Sequence, residues 1–308
     1  MKRILVAYDA SEGSVSALRE MTRGGFPERA EARVLTIAEV WLPPEPAGES
    51  SGDRSLAAAS QDAKTALREA KSLAVQGAQL LHTIFPDWNI TNTARADSPA
   101  WGILAEAREW QADLIVVGSH GRTPLEGFFL GSVSYKVAAE ANCSVRIMRA
   151  LPHRVHQPTC LLVGIDGSEE AMQAVDEILE RRWSDRTKIH LVVVIDPKLR
   201  RHSLEKAARS GTESDRTENW IESLLQCVRA KFAARGLQVE SHILQGDPKH
   251  LILSDAKTWE ADCICLGARG LDHGHRLYLG TLASAICTRA HCSVEITRNR
   301  TWQSSAQR

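Results

Sequence analysis

The stretch Asp113-Leu114-Ile115-Val116-Val117-Gly118-Ser119-His120-Gly121, followed after nine residues by Gly131-Ser132, decides how the chain is read. A second copy stands at Asp262-Cys263-Ile264-Cys265-Leu266-Gly267-Ala268-Arg269-Gly270, again followed after nine residues by Gly280-Thr281. In the first copy the segment after the last glycine, Val133-Ser134-Tyr135-Lys136-Val137-Ala138, carries apolar residues at helical spacing. A short buried strand thus delivers the chain through a glycine loop to a helix N-terminus, the place where open α/β sheets bind phosphate.

The duplication extends well beyond the loops. Trp110-Gln111-Ala112-Asp113 answers to Trp259-Glu260-Ala261-Asp262, and Asn142-Cys143-Ser144-Val145 to His291-Cys292-Ser293-Val294, all at a constant spacing of 149. Asp9, closing Ile4-Leu5-Val6-Ala7-Tyr8-Asp9, matches Asp166, closing Leu161-Leu162-Val163-Gly164-Ile165-Asp166, at a spacing of 157. The eight extra residues of the first copy are assigned to Pro43 to Arg54. A repeat of this length means two domains of ordinary size rather than a solenoid. The boundaries read as a first domain over 1–150, a linker over 151–158, a second domain over 159–298 and a tail over 299–308.

Short apolar or β-branched runs separated by helical-period segments give the βαβ rhythm of a parallel sheet. In the first copy these runs are Ile4 to Tyr8, Arg33 to Ala38, Ile90 to Ala94, Leu114 to Val117 and Val145 to Met148. In the second they are Leu161 to Ile165, Ile189 to Ile195, Gln238 to Leu244, Cys263 to Leu266 and Val294 to Thr297. Near-continuous apolar strands imply helices on both faces of each sheet. Ser11 and Ser168 are placed to cap the first helices, and long helices are expected over Leu56 to His82 and Thr217 to Arg235. Trp41 to Gly52, rich in Pro, Gly and Ser, reads as a loop or lid.

The 308 residues are 43% hydrophobic and 25% charged, with a formal net charge of zero, enough apolar content for two cores. That balance gives no sequence-wide footprint for nucleic acid or an acidic membrane surface. No apolar run approaches the roughly 20 residues needed to span a bilayer. Met1-Lys2-Arg3 leads straight into the first strand without room for a signal peptide, so a cytoplasmic location is expected, with the seven cysteines as reduced, mostly buried thiols. His273, His275, Cys287, His291 and Cys292 lack the spacing of a closed metal site, and no metal site is expected in the chain. Trp110 and Trp259 are expected to pack their helices on the sheet.

A loop glycine is needed either for positive φ or where something approaches without room for a Cβ. A phosphate bound on backbone amides is one such approach, and a sharp strand-to-helix turn without ligand is the other reading. Asp9 and Asp166 end apolar strands at the carboxyl edge, where an aspartate accepts hydrogen bonds from a sugar or base, or else supports the cap of the next helix. A helix terminus supplies about 0.3–1 kcal/mol, up to about 2 when partly buried. Micromolar affinity needs about 8 kcal/mol. Base, ribose and several loop amides must therefore act together.

The arrangement Gly-x-x-Gly, nine residues, Gly-Ser/Thr after the fourth strand, with Asp after the first, closely resembles the universal stress protein family in tandem form, over nearly the whole chain. The resemblance implies two Rossmann-like α/β domains, each an open five-stranded parallel sheet with helices on both faces, and implies ATP binding, with Mg²⁺. It places Asp9 and Asp166 at the adenine and ribose, and Ile37 and Val194 in the adenine pocket. Gly118, Gly121, Gly131 and Ser132, with Gly267, Gly270, Gly280 and Thr281, would hold ribose and phosphates. Val133 and Leu282 would add amides at the helix start. Arg122 follows the second glycine of the first loop, as is usual in the family, and Leu271 stands there in the second. Further implications are a regulatory binding protein without catalytic residues, a protein partner of unknown identity, and homodimers of two-domain chains. A slow ATP hydrolase or nucleotidyl-transferring enzyme using the same loops, and a ligand-free interaction protein, are the alternatives.

Overall fold

The computed structural model describes residues 1–40, 54–120, 130–150, 157–196, 213–270 and 279–298. The chain divides into two compact units, one of residues 1–22 and 28–148, the other of 23–27 and 149–308.

In the first unit the elements run β1 (Lys2–Ala7), α1 (Glu12–Glu20), β2 (Ala30–Ala38), α2 (Arg54–Ile84), β3 (Asn89–Ala96), α3 (Pro99–Glu109), β4 (Leu114–Gly118), α4 (Ser132–Glu140) and β5 (Ser144–Met148). All neighbouring strands are parallel, in the order β3-β2-β1-β4-β5. Register is tight at the centre, where Ile4 pairs with both Ala32 and Leu114. The central strands are apolar because they are covered twice: Ile4, Leu5, Val6, Ile115, Val116 and Val145 are at most 2% exposed. Strand β3, at the end of that order, carries polar Asn89, Thr91, Asn92 and Thr93 and is half-exposed.

The second unit repeats the plan with β6 (Cys160–Gly164), α5 (Glu169–Leu179), β7 (Lys188–Ile195), α6 (Glu213–Ala233), β8 (Gln238–Gln245), α7 (Pro248–Thr258), β9 (Cys263–Gly267), α8 (Thr281–Arg289) and β10 (Ser293–Thr297). Its strands are parallel in the order β8-β7-β6-β9-β10. One face packs Leu161, Val163, Ile189, Leu191 and Val193 against Val175 and Ile178 of α5 and Val228 and Phe232 of α6. Each such side chain contributes about 1.5–3 kcal/mol relative to exposure. Cys263 and Cys265, two residues apart on β9, belong to the same core.

Every expected strand is present, with ends shifted by up to three residues. The expected caps form: Ser11 Oγ accepts from Ser14 N and Ser168 Oγ from Ala171 N, both at 3.2 Å. The long helices begin earlier than expected, at Arg54 and Glu213. Trp41 to Gly52 lies outside the described residues.

What positions the site is the strand order. It reverses between β1 and β4, and between β6 and β9, so a crevice opens beyond the carboxyl ends of each pair. Asp9 and Gly118 come off the two strands flanking the first crevice, and Asp166 and Gly267 off those flanking the second.

Candidate functional site

In the first crevice Asp9 sits in a turn that continues through Ala10 at φ +59°. Asp9 Oδ1 accepts from Ser11 N at 3.0 Å and from Ser11 Oγ at 2.5 Å. Ser11 in turn caps α1, so one carboxylate oxygen supports the cap while the other makes no hydrogen bond among the described residues. Tyr8, buried just before it, has its phenol pushed up by burial and then by the Asp9 charge, which keeps it protonated.

Three backbone segments meet at this point. A Cβ on Gly13, in the first turn of α1, would stand 2.4 Å from the His120 carbonyl oxygen, and one on Gly118 would stand 3.2 Å from the Gly13 carbonyl oxygen. Ser119 N donates to Met148 O and Gly131 N to Ser119 O, both at 2.9 Å, while Ser134 Oγ donates to Gly118 O at 2.6 Å. These bonds hold the N-terminus of α4, with Ser132 and Val133 as its first two residues, against the loop. Amides in a first helical turn have no intrahelical acceptor. His120 Nδ1 contacts Ser119 Oγ at 2.9 Å. Its Nε2 is buried without a hydrogen-bond partner among the described residues, an orphan polar atom of the kind that a ligand oxygen satisfies.

The glycines are therefore explained by crowding and not by backbone handedness. Gly131 and Gly280 have φ of −62° and −60°, and neither Gly118 nor Gly267 is among the positive-φ residues. Positive φ occurs instead at Gly167, directly after Asp166.

The second crevice is built on the same frame but filled differently. Asp166 Oδ1 accepts from Ser168 N at 2.9 Å, Ala268 N donates to Thr297 O and Gly280 N to Ala268 O, reproducing the anchors of the first loop. Thr281 and Leu282 open α8 as Ser132 and Val133 open α4. At the spacings of 157 and 149, however, Gly13 corresponds to Glu170 and His120 to Arg269. Glu170 Oε2 accepts from the Arg269 amide at 2.6 Å, and Oε1 accepts from Arg269 Nε at 3.0 Å and Nη2 at 2.5 Å. The second loop thus already spends a backbone amide on an internal carboxylate, which also pairs with the Arg269 guanidinium. A Cβ on Gly270 would meet Asp166 Oδ2 at 2.6 Å, and the indole of half-exposed Trp220 lies against Gly167.

Of the residues expected at the sites, Asp9, Gly118, Gly131, Ser132 and Val133 converge at the first crevice, and Asp166, Gly267, Gly270, Gly280, Thr281 and Leu282 at the second. Ile37 is half-buried at the end of β2, its Cδ1 so near α3 that a Cβ on Gly102 would meet it at 2.6 Å. Val194 is half-buried near the end of β7. Gly121 and Arg122, and Leu271, His273 and His275 of the other loop, lie outside the described residues. Reading the sequence for motifs missed Gly13 and Glu170, although the offset of 157 aligns them and a Gly-to-Glu exchange beside a glycine loop is a legible signal.

Among the described residues no helix is long and apolar enough to cross a membrane. The family model of the universal stress protein family matches residues 1–149 and 160–298. A universal stress protein of Mycobacterium tuberculosis is 29% identical over 143 residues, 46% of this chain and 49% of that protein. One of Thermus aquaticus is 32% identical over 155 residues, 48% of this chain and 98% of that protein. A stretch of 65 residues is 43% identical to a Mycolicibacterium smegmatis relative, covering 21% of each. The chain thus spans about half or less of the mycobacterial relatives it matches. Among solved structures, a universal stress protein from Archaeoglobus fulgidus superposes with a TM-score of 0.63 at 18% identity, covering 97% of this chain and 98% of that one, a likeness of fold. Two successive matches to one family, on two α/β units with the same strand order, show that the chain belongs to the universal stress protein family.

Proposed function

We propose that this chain binds one adenine nucleotide, ATP with Mg²⁺, in the crevice of its first domain, and that occupancy changes a surface read by a protein partner. The observation that carries the reading is the contrast between the two loops. In the first, Gly13 carries no side chain to engage the loop as Glu170 does in the second, and His120 Nε2 is buried without a hydrogen-bond partner among the described residues. In the second, Glu170 takes the corresponding amide.

The residues present fit the ligand. Asp9 offers one unengaged carboxylate oxygen to a ribose hydroxyl or base edge. The α4 amides at Ser132 and Val133, with the Ser132 hydroxyl, would hold phosphate oxygens. His120 Nε2 would donate to the same anion as its proton shifts between ring nitrogens. ATP supplies negative charge and a base, and the chain's residues bind and orient it. Glu170 in the second domain opposes an anion by charge and by occupying the donor.

The Ser119–His120 contact favours a second reading, a slow ATP hydrolase. Among the described residues no carboxylate hydrogen-bonds His120, so the orienting member of a catalytic triad is not supplied there. Nucleotide-stripped protein dialysed to equilibrium against labelled ATP well above micromolar concentration should retain close to one molar equivalent and release it unhydrolysed. Absence of retained label overturns the binding proposal. Turnover exceeding about one per minute, still well below the roughly 10 per second ordinary for enzymes, and lost in His120→Ala, replaces it with the hydrolase.

A further inference from the structure

Away from the two crevices, both domains contain a slot where the second strand passes beneath the helix that precedes the fourth. In the first domain Arg33 of β2 donates to Glu106 of α3 at 2.7 Å, and its guanidinium lies 4.6 Å from the centre of the Trp110 ring. Arg95 of β3 brings a second cation to the same carboxylate at 2.9 Å. At the repeat spacings, Arg33, Glu106 and Trp110 correspond to His190, Asp255 and Trp259, and Arg95 to Leu244. The second domain keeps the carboxylate and the aromatic floor but has neither guanidinium.

It has two imidazoles instead. His190, fully buried, stacks on Trp259 with centroids 4.6 Å apart, and its Nε2 lies 2.6 Å from Asp255 Oδ2. His242 of β8, at the position of Thr93, stands edge-on to His190 at 4.4 Å with its Nδ1 3.7 Å from Asp255 Oδ1. A ligand atom from each of the three residues lies within 4.8 Å of the other two. The strand register explains the meeting: His242 pairs with Val192, two residues beyond His190, so both rings leave the same face of the sheet, beneath α7. A neutral imidazole is the form that ligates metals.

We propose that His190, His242 and Asp255 form a site for a borderline divalent cation of the Zn²⁺ type, which replaces the positive charge that Arg33 and Arg95 bring to the first domain. Two imidazoles and a carboxylate are a ligand set suited to Zn²⁺, with solvent as fourth ligand. Bonds of about 2.0–2.1 Å place tetrahedral ligand atoms about 3.3 Å apart, so the 2.6 Å Nε2–Oδ2 contact opens while the wider pairs, all within 4.8 Å, close. A rotation of the Asp255 carboxylate serves both. The ion enters past His242, whose side chain is 50% exposed. On binding, the His190 ring proton resides on Nδ1, which has no hydrogen-bond acceptor among the described residues. Lacking that supporting bond, the site binds about 10–100-fold more weakly than one whose outer partner is present.

The test uses the full chain, stripped with chelator and free of nucleotide and Mg²⁺, titrated with zinc sulfate by calorimetry and with Co²⁺ by visible absorption. The expected result is one saturable equivalent with tetrahedral Co²⁺ bands, weakened about 100-fold or more in both His242→Thr and Asp255→Asn, since loss of outer partners alone costs 10–100-fold. His242→Thr installs the residue of the first copy at a half-exposed position, so folding is retained and circular dichroism verifies it. Absence of saturable binding overturns the proposal and leaves a structural His–Asp pair. Binding unchanged in both variants overturns it equally and assigns the ion to cysteines or other histidines.

Discussion

Replacing Glu170 by glycine, the residue at the equivalent place in the first copy, should open the second crevice. Glu170 engages the Arg269 amide at 2.6 Å and its guanidinium at 3.0 and 2.5 Å. A hydrogen bond to a charged group is worth about 1.5–3 kcal/mol net. A phosphate entering the wild-type loop forfeits the amide bond to Glu170 and meets a carboxylate only partly offset by Arg269. A handicap of about 3 kcal/mol follows, which is roughly 150-fold in affinity at 1.4 kcal/mol per tenfold. A first site of micromolar affinity therefore leaves the wild-type second site silent at micromolar ATP. In Glu170→Gly a second equivalent should appear by calorimetry, within about tenfold of the first site, and Glu170→Gln should fall between. Glycine in the first helical turn and the lost bonds cost the second domain stability, so circular dichroism and urea unfolding accompany the titration. A folded Glu170→Gly protein that still takes one equivalent, or a wild-type protein that takes two, refutes the assignment of Glu170.

Three further outcomes follow from the geometry. Glu295 of β10, 1% exposed and ion-paired with buried Arg181, should on replacement by Ala cost about 3–5 kcal/mol in urea unfolding, because the guanidinium loses its buried counter-charge; a change below 1 kcal/mol contradicts that role. Ellman's reagent at pH 8 should find Cys227 the fastest thiol, being exposed, whereas burial holds Cys287 at about 12 and raises Cys292 as well; fast modification of Cys287 in folded protein contradicts its placement. Burial lowers the His190 pKa below its ordinary 6.5, so in metal-free protein the unfolded chain takes up a proton first as pH falls. Stability contributed by neutral His190 is present above 6.5 and declines as pH drops toward the folded value. The urea midpoint of the second domain should fall between pH 7.5 and 5.5, and fall less in His190→Gln.

Much of this fold is legible because its signals are local and occur twice. Apolar runs such as Leu161-Leu162-Val163 mark strands covered on both faces, and Ser11 and Ser168 mark helix starts through a bond spanning three residues. The site was legible as a frame, since Gly118, Gly131 and Asp9 recur at fixed spacing in the second copy. The reason for the glycines was not legible. It depends on Gly13 and His120, 107 residues apart, bringing their backbones together through the sheet order. The same holds for His190 and Asp255, 65 residues apart on a strand and a helix. No spacing rule connects such pairs; only the alignment of the copies shows that His190 and Asp255 replace an arginine and a glutamate.

Calorimetric titration of nucleotide-stripped wild-type, Gly131→Val and Gly280→Val proteins with ATP and Mg²⁺ separates the two glycine loops, alike in frame and proposed to differ in ligand. The two substitutions are matched insults, since a Cβ would stand 3.3 Å from Ser119 O in one loop and 3.1 Å from Ala268 O in the other. Binding in the first loop alone gives one equivalent in wild type, none in Gly131→Val, and one equivalent of undiminished affinity in Gly280→Val. Binding that survives in Gly131→Val and is lost in Gly280→Val contradicts it.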